Sequence, residues 1–568
     1  MALPRRWPPL RLYPDMLRAA LWRAVVPLLV FWRSTWFYRQ LLKGPIAYRL
    51  RFHPYDALPA PLEDAEAALR GRFRFCGESV EVKDGSVFEQ PAPSAAWGRA
   101  LQSFAWLPPL AAAGGEPARV LATNLISQWL KRNAKYSVPA WSPEVLGRRL
   151  LNLFAHSRLV MTDSDLMWRS KLFVSLREQS RALARTCAEA PEGLPRLEAA
   201  AALVLSGVCL QDHGNRLEAG LARLESELAG QILPDGGHIS RSPEALVTAY
   251  RYLTMVMDGL QAISYDVPQA VRVAHDRMTP MIRFFRHGDG TLALFNGGTE
   301  SDARMIAGLL ARDEVRGQPF GHAPHSGYQR AAAGKTILIV DCGTPPPGPY
   351  SCAAHAGCLS FEFSTSGQRV VVNCGSAQTQ QQRWENVLRA TAAHSTVTLA
   401  DMSSGAILPE GVARNLLGPR LIDGSERVDT RRVETTQGVI VEGSHDGYAA
   451  TLGIVHERSL TLAPQGRMLT GLDRLVPKVR SRDPVAFAIR FHVHPNVRLS
   501  ASQGAGILLK LPNGEGWRFR AQGGGVAIEE SVYLGGESAR RTEQLVIVGS
   551  VRDAPVEIGW VFEQIGAQ

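Results

Sequence analysis

The chain has little of what marks a disulfide-built, exported or membrane-spanning protein. Its seven cysteines (Cys76, Cys187, Cys209, Cys342, Cys352, Cys358 and Cys374) are scattered, odd in number and form no Cys-x-x-Cys pair. That argues against a disulfide framework or a thiolate zinc site and fits a reducing compartment. No small-residue cleavage site follows the N-terminal apolar stretch, so no signal peptide is expected. Leu21 to Phe37 is rich in Trp, Leu and Val, but Arg23, Pro27 and Arg33 interrupt it, which argues against a clean transmembrane span. A cytoplasmic or inner-membrane-peripheral location is therefore expected, with the cell envelope or periplasm as the alternative. Also missing is a Lys/Arg cluster of nucleic-acid type with interleaved aromatics, which weighs against a nucleic-acid partner.

What is present is an ordinary globular composition, 45% apolar and 20% charged, in 568 residues. That length exceeds a single core and predicts about two or three domains. With 63 Lys and Arg against 53 Asp and Glu the formal charge is +10. The balance favours acidic partners such as polyanionic sugars or an anionic membrane, although a basic solvated surface has the same composition. Residues 16–43 place Trp22, Trp32, Trp36, Phe37 and Tyr38 beside Arg18, Arg23, Arg33, Arg39 and Lys43. Such a segment suits the membrane interface, or a helix packed on the body of the protein.

Periodicity divides the chain. Residues 1–70 are an N-terminal amphipathic and linker segment, followed by a short hairpin around Phe73–Gly77 and Val80–Val82. From Trp97 to Phe285 apolar residues recur at three- and four-residue spacing, with Ser-Pro-Glu helix starts at Ser142 and Ser242. Amphipathic helices in series over 71–318 predict an (α/α) array or toroid. Residues 319–568 carry short alternating strands punctuated by Gly, Asn, Asp and Pro, as in a β-sandwich. The expected fold is thus α+β multidomain: an incomplete (α/α) toroid followed by an antiparallel β-sandwich.

Two histidines stand out. His355 lies in the small-residue turn Tyr350-Ser-Cys-Ala-Ala-His355-Ala-Gly-Cys, just before the strand Leu359-Ser-Phe-Glu-Phe363. His238 lies in the glycine turn Asp235-Gly-Gly-His238 before the helix that starts at Ser242-Pro243. One from each half, they suggest a site at a domain interface, though glycine turns also host histidines that only bond to backbone.

These segments, with Gln102–Leu107, Trp141…Arg148-Arg149-Leu-Leu-Asn152, Arg389-Ala-Thr-Ala-Ala-His394-Ser-Thr396, Ser444-His445-Asp446-Gly-Tyr448 and His456-Glu-Arg458, resemble the heparinase II/III-like polysaccharide lyases over roughly residues 70–560. The resemblance implies β-elimination on a uronic-acid-containing polysaccharide held between toroid and sandwich. That reaction needs neutralisation of a uronate carboxylate, a base, and an acid for the leaving oxygen. By resemblance His238 meets the carboxylate and His355 moves protons. Tyr250 and Tyr252 are the candidates for the catalytic tyrosine, although on a helix they point roughly 200° apart. Arg241, Arg389, His394, Arg148, Asn296 and His445 are the implied substrate contacts, each with a structural alternative.

The chain departs from the fuller family pattern. Where a His-x-His-x-Asp run is common, the first His is Ala353 and the Asp is Gly357; the acidic residue after the next strand is Asn373. Losing those ligands predicts no tightly bound zinc, and no cofactor is expected. The same losses raise two alternatives to an active lyase: a weak or inactive member that binds anionic glycan, and a membrane-peripheral structural protein.

Overall fold

The structure, a computed structural model, describes residues 8–566 except 58–59, 84, 163, 211–215, 313–318, 377–383, 481–482, 503–505 and 537. The helical half comprises α1 (Tyr13–Ser34), α2 (Trp36–Leu41), α3 (Leu62–Leu69), α4 (Ala95–Gln102), α5 (Leu107–Ala113), α6 (Gly115–Arg132), α7 (Pro143–Ala155), α8 (Ser157–Met161), α9 (Leu166–Thr186), α10 (Leu194–Cys209), α11 (Arg216–Gln231), α12 (Pro243–Ala262), α13 (Gln269–Phe285) and α14 (Ala303–Leu310). The hairpin read at Phe73–Val82 is β1 (Arg72–Phe75) and β2 (Glu78–Glu81).

Helix α10 is the hub of the toroid. Ala199 to Leu205 are all fully buried, as expected of a helix apolar on every side. It packs on α7, α11 and α12. Glycines permit the close approach to α11: a Cβ on Gly220 would lie 2.9 Å from the Val204 nitrogen, and one on Gly207 3.0 Å from Leu217 Cα. Helix α12 starts as the Ser-Pro signal predicts, with Ser242 Oγ accepting from the Ala245 amide and Pro243 in the first turn.

The second half begins at His322 and forms two large antiparallel sheets, with β9 and β10 paired as a separate two-stranded ladder. Its strands are β3 (His322–Ala323), β4 (Tyr328–Ala333), β5 (Thr336–Asp341), β6 (Phe361–Thr365), β7 (Gln368–Val372), β8 (Val397–Leu399), β9 (Ala406–Ile407), β10 (Leu421–Ile422), β11 (Val428–Thr435), β12 (Gly438–His445), β13 (Ile454–Leu462), β14 (Met468–Pro477), β15 (Val485–Val493), β16 (Arg498–Ser502), β17 (Gly506–Lys510), β18 (Gly516–Gln522), β19 (Gly525–Tyr533), β20 (Arg540–Val551) and β21 (Val556–Gln564). One sheet runs β19-β20-β15-β7-β6-β5-β4-β3 with β8 beside β15; the other runs β11-β12-β13-β14-β21-β18-β17-β16. Between them Phe361 stacks on Trp560 at 5.5 Å and Phe363 meets Phe562 at 5.3 Å. A toroid followed by a sandwich is the architecture the hydrophobic patterning predicts.

Sequence alone left open whether residues 16–43 pack on the body, and the structure shows α1 docked along one side only. Met16 and Ala19 pack with Leu12, Leu408, Leu417 and Ile422. Asp15 accepts from Arg420 at 2.7 Å, tying α1 to the sandwich, and Arg33 donates to Glu189 at 2.8 Å, tying it to the toroid. The opposite side is bare: Leu17, Leu21, Leu28 and Phe31 are each at least 60% exposed. Among the described residues no helix is long and apolar enough to cross a membrane.

Candidate functional site at the toroid–sandwich seam

The seam is held by charged and polar side chains from the toroid. Asp235 accepts from the His325 and Ser326 amides at 2.9 and 2.7 Å and from Ser326 Oγ at 2.7 Å. Arg241 reaches further across. Its guanidinium donates to the carbonyls of Ser326, Gly327, Gly343 and Thr344, pairs with buried Asp341, and lies over the Tyr328 ring at 4.8 Å. Beside it is a cavity of about 370 Å³ lined in part by Ile239, Arg241, His322, His325, Pro345 and Val428.

The two histidine turns meet at this seam through Asn296 and Tyr328. Asn296 Oδ1 accepts the His355 amide at 3.1 Å, while its Nδ2 donates to Tyr328 Oη at 2.8 Å. Tyr328 Oη in turn donates to the Arg241 carbonyl at 2.7 Å. Arg241 (φ 59°), Asn296 (φ 47°) and Leu359 (φ 56°) all adopt the left-handed region. Asn tolerates that conformation, whereas Arg and Leu are strained in it, and such strain concentrates where a site over-determines the backbone.

His355 and His394 form a directional pair. His394 Nδ1 lies 2.9 Å from the Ala390 carbonyl, which can only accept, so that nitrogen carries the proton. Burial pushes the His394 pKa down to about 4, which keeps the ring neutral and leaves Nε2 as an acceptor. His355 Nδ1, 3.0 Å away, is therefore the donor, and the lone pair of His355 falls on Nε2. Burial, then His394 and Arg389, hold His355 well below the ordinary histidine range, so it too is neutral. Arg389 shapes the turn by donating to the carbonyls of Ala354 and Ser351 at 2.8 and 3.1 Å. From the far sheet Arg458, paired with Asp473, donates to the carbonyls of Leu359 and Ser395.

The other candidates are placed elsewhere or are already engaged. His238 is 2% exposed; its Nε2 lies 3.0 Å from Gln231 Oε1 and its Nδ1 2.7 Å from Ser240 Oγ. Burial lowers its pKa to about 4, so it is a neutral, doubly bonded ring rather than one free to meet a carboxylate, the role the resemblance implies. Tyr250 and Tyr252 do point apart, but both point into the toroid. Tyr250 stacks on His275 at 4.3 Å, and Tyr252 donates to Glu198 at 2.6 Å. Arg148 makes two 2.7 Å bonds to that same Glu198. His445 lies in the sandwich network, 3.2 Å from His456, which bonds Asp473. Tyr328, Asp341 and Gln231 organise the site without having been singled out from sequence. Gly327, which turns the chain into β4 at φ 70°, was the one local signal for Tyr328.

The family's metal position does not fit a tightly held ion. Asn373 offers a neutral amide whose Oδ1 accepts from the Ser395 amide and whose Nδ2 donates to the Leu294 carbonyl. The facing nitrogens of His355 and His394 share a proton. A Cβ at Gly357 would lie 2.7 Å from His394 Cδ2, so no aspartate is accommodated there while His394 keeps its place.

Comparison with known proteins agrees with this architecture. The model of the heparinase II/III-like C-terminal family matches residues 315–561. FtsZ-localized protein C of Caulobacter vibrioides is 33% identical over 543 residues, covering 93% of this chain and 92% of that protein. The chain belongs to the heparinase II/III-like family. The fold of heparinase III superposes with a TM-score of 0.70 at 13% identity, covering 98% of this chain and 92% of that one. A heparan sulfate lyase HepC mutant from Pedobacter heparinus gives 0.61 at 14%, covering 98% and 91%. At such identities the likeness establishes the fold alone.

Proposed function

We propose that this heparinase II/III-like protein works as a membrane-peripheral structural protein, with the polysaccharide-lyase fold serving as its body. The observation that carries this reading is the bare side of α1. Leu17, Leu21, Ala24, Leu28 and Phe31 recur at three- and four-residue spacing and so share one face, flanked by exposed Trp22, Trp32, Trp36 and Phe37. Contiguous apolar surface of this kind marks a partner or a membrane. Aromatic side chains beside exposed Arg18, Arg23 and Lys43 favour an anionic lipid interface. The 33% identical relative is named for its localisation with FtsZ, which fits a protein that acts by position. Flotation with vesicles containing phosphatidylglycerol tests the reading. The wild-type chain should rise with the vesicles and the L21E/L28E variant should stay in solution; a wild-type chain that stays behind ends the proposal.

A second reading, binding or slow β-elimination of an acidic polysaccharide, is favoured by the Nε2 lone pair of His355. Against efficient turnover, the groups suited to neutralise a uronate have their donors committed: His238 to Gln231, Asn296 to Tyr328, and Arg241 to Asp341 and four carbonyls. Absorbance of unsaturated uronide, followed with a panel of uronate polymers, decides it. This reading expects a slow signal that His355→Ala abolishes, or retained binding with no signal at all. A signal untouched by His355→Ala would remove that imidazole from the chemistry.

A further inference from the structure

A second basic site lies where the end of α13 meets β4. The run Arg283-Phe-Phe-Arg286 turns Phe284 and Phe285 inward, where they are 0% and 2% exposed, and leaves both arginines half-buried on the other side. Across from them Arg330 projects from β4. Together with His287, Asp289 and Pro319 they line a pocket of about 420 Å³.

Arginines at a helix C-terminus are ordinary, because they answer the helix dipole. Arg330 is not at a helix end. It is 8% exposed, and its Nε donates to the Phe284 carbonyl at 3.0 Å. Neither terminal nitrogen of Arg330 has a hydrogen-bond or carboxylate partner among the described residues. The Arg286 Nε likewise bonds only a carbonyl, that of Gly290 at 3.2 Å. Among the described lining residues the carboxylate is Asp289, which is already engaged: it accepts from Arg369 Nε at 3.0 Å and from the Thr291 amide at 2.9 Å. His287 is bonded on both nitrogens, to Ser364 and Glu362. Burial lowers the Arg330 pKa to about 10, which leaves the group cationic at neutral pH. A buried guanidinium without a counter-charge is unfavourable, and its planar donors match a two-oxygen face of an anion.

We propose that Arg286 and Arg330 form a binding site for a tetrahedral oxyanion group, a phosphate or sulfate, carried free or as an ester on a sugar. The site is separate from the His355 turn and does not depend on the membrane reading. Calorimetric titration of the full-length protein with inorganic phosphate, and in parallel with a sulfated disaccharide, tests it. Saturable binding is expected, weakened about tenfold or more in R330M and in R286Q and weakened further by added sodium chloride. Binding of phosphate alone identifies a free anion as the ligand, and preference for the disaccharide identifies a sugar ester; either supports the site. Should R330M not fold, R286Q on a half-buried residue decides alone. No saturable binding of either probe by the folded wild type, or equal binding by R286Q, overturns the proposal. Vesicle flotation of R286Q should match the wild type, which keeps the two readings distinguishable.

Discussion

At the residue scale the seam is governed by neutral imidazoles. An unfolded histidine takes its proton near pH 6.5, whereas burial holds His238 and His394 at about 4. Between those values the unfolded chain binds protons that the native chain does not. The contribution of these rings to stability should therefore be full above about pH 6.5 and fall as pH drops towards 4, by on the order of a few kcal/mol for each ring. Urea unfolding midpoints at pH 7 and pH 5 check this, and equal midpoints would contradict neutral burial. Gly357 makes a second residue-scale prediction. Gly357→Asp forces a Cβ to within 2.7 Å of His394 and should separate the His355–His394 pair. The expected loss is about 1–3 kcal/mol, with altered imidazole resonances for both rings in proton–nitrogen spectra.

At the element scale α1 is held by two ion pairs, by the small apolar cluster around Leu12, and by Val30 packed on the toroid core with Arg33 against Tyr136, while Leu17, Leu21, Leu28 and Phe31 stay exposed. Arg33→Ala should release the end near the toroid and Asp15→Ala the end near the sandwich. Faster amide exchange confined to the matching half of α1 is the expected result, and uniform protection in both variants would mean that the apolar contacts of Leu12 and Val30 suffice. This element also shows where sequence reading runs out. Its aromatic and basic content was legible. Which side faces outward was not, because the partners Glu189 and Arg420 lie more than 150 residues away in the chain. The strand read at Leu359–Phe363, found as β6 (Phe361–Thr365), and the alternating character of residues 319–568 were legible from alternation and turn residues. Sheet order was not, since β21 enters between β14 and β18 and β15 between β20 and β7. For the site, the turns carrying His238 and His355 were found because glycine and small residues punctuate them. Ring orientation depends on Gln231, Ser240 and Ala390, whose side chains and carbonyls carry no periodic signal.

At the scale of the whole molecule, toroid and sandwich behave as one body because Asp235, Arg241 and Asn296 cross between them. Arg241→Met removes bonds to four carbonyls and leaves buried Asp341 without its cationic partner. A cost of roughly 3–5 kcal/mol is expected, with the single thermal transition splitting into two as the halves uncouple. Calorimetry that still shows one transition would mean the remaining seam bonds suffice. The double attachment of α1 has its own consequence. A helix fastened to both halves cannot act as a loose tether, so whatever grips its outer face also fixes the compass bearing of everything behind it. Tilting the sandwich away from that surface would require breaking the contact at Arg420 or the one at Glu189.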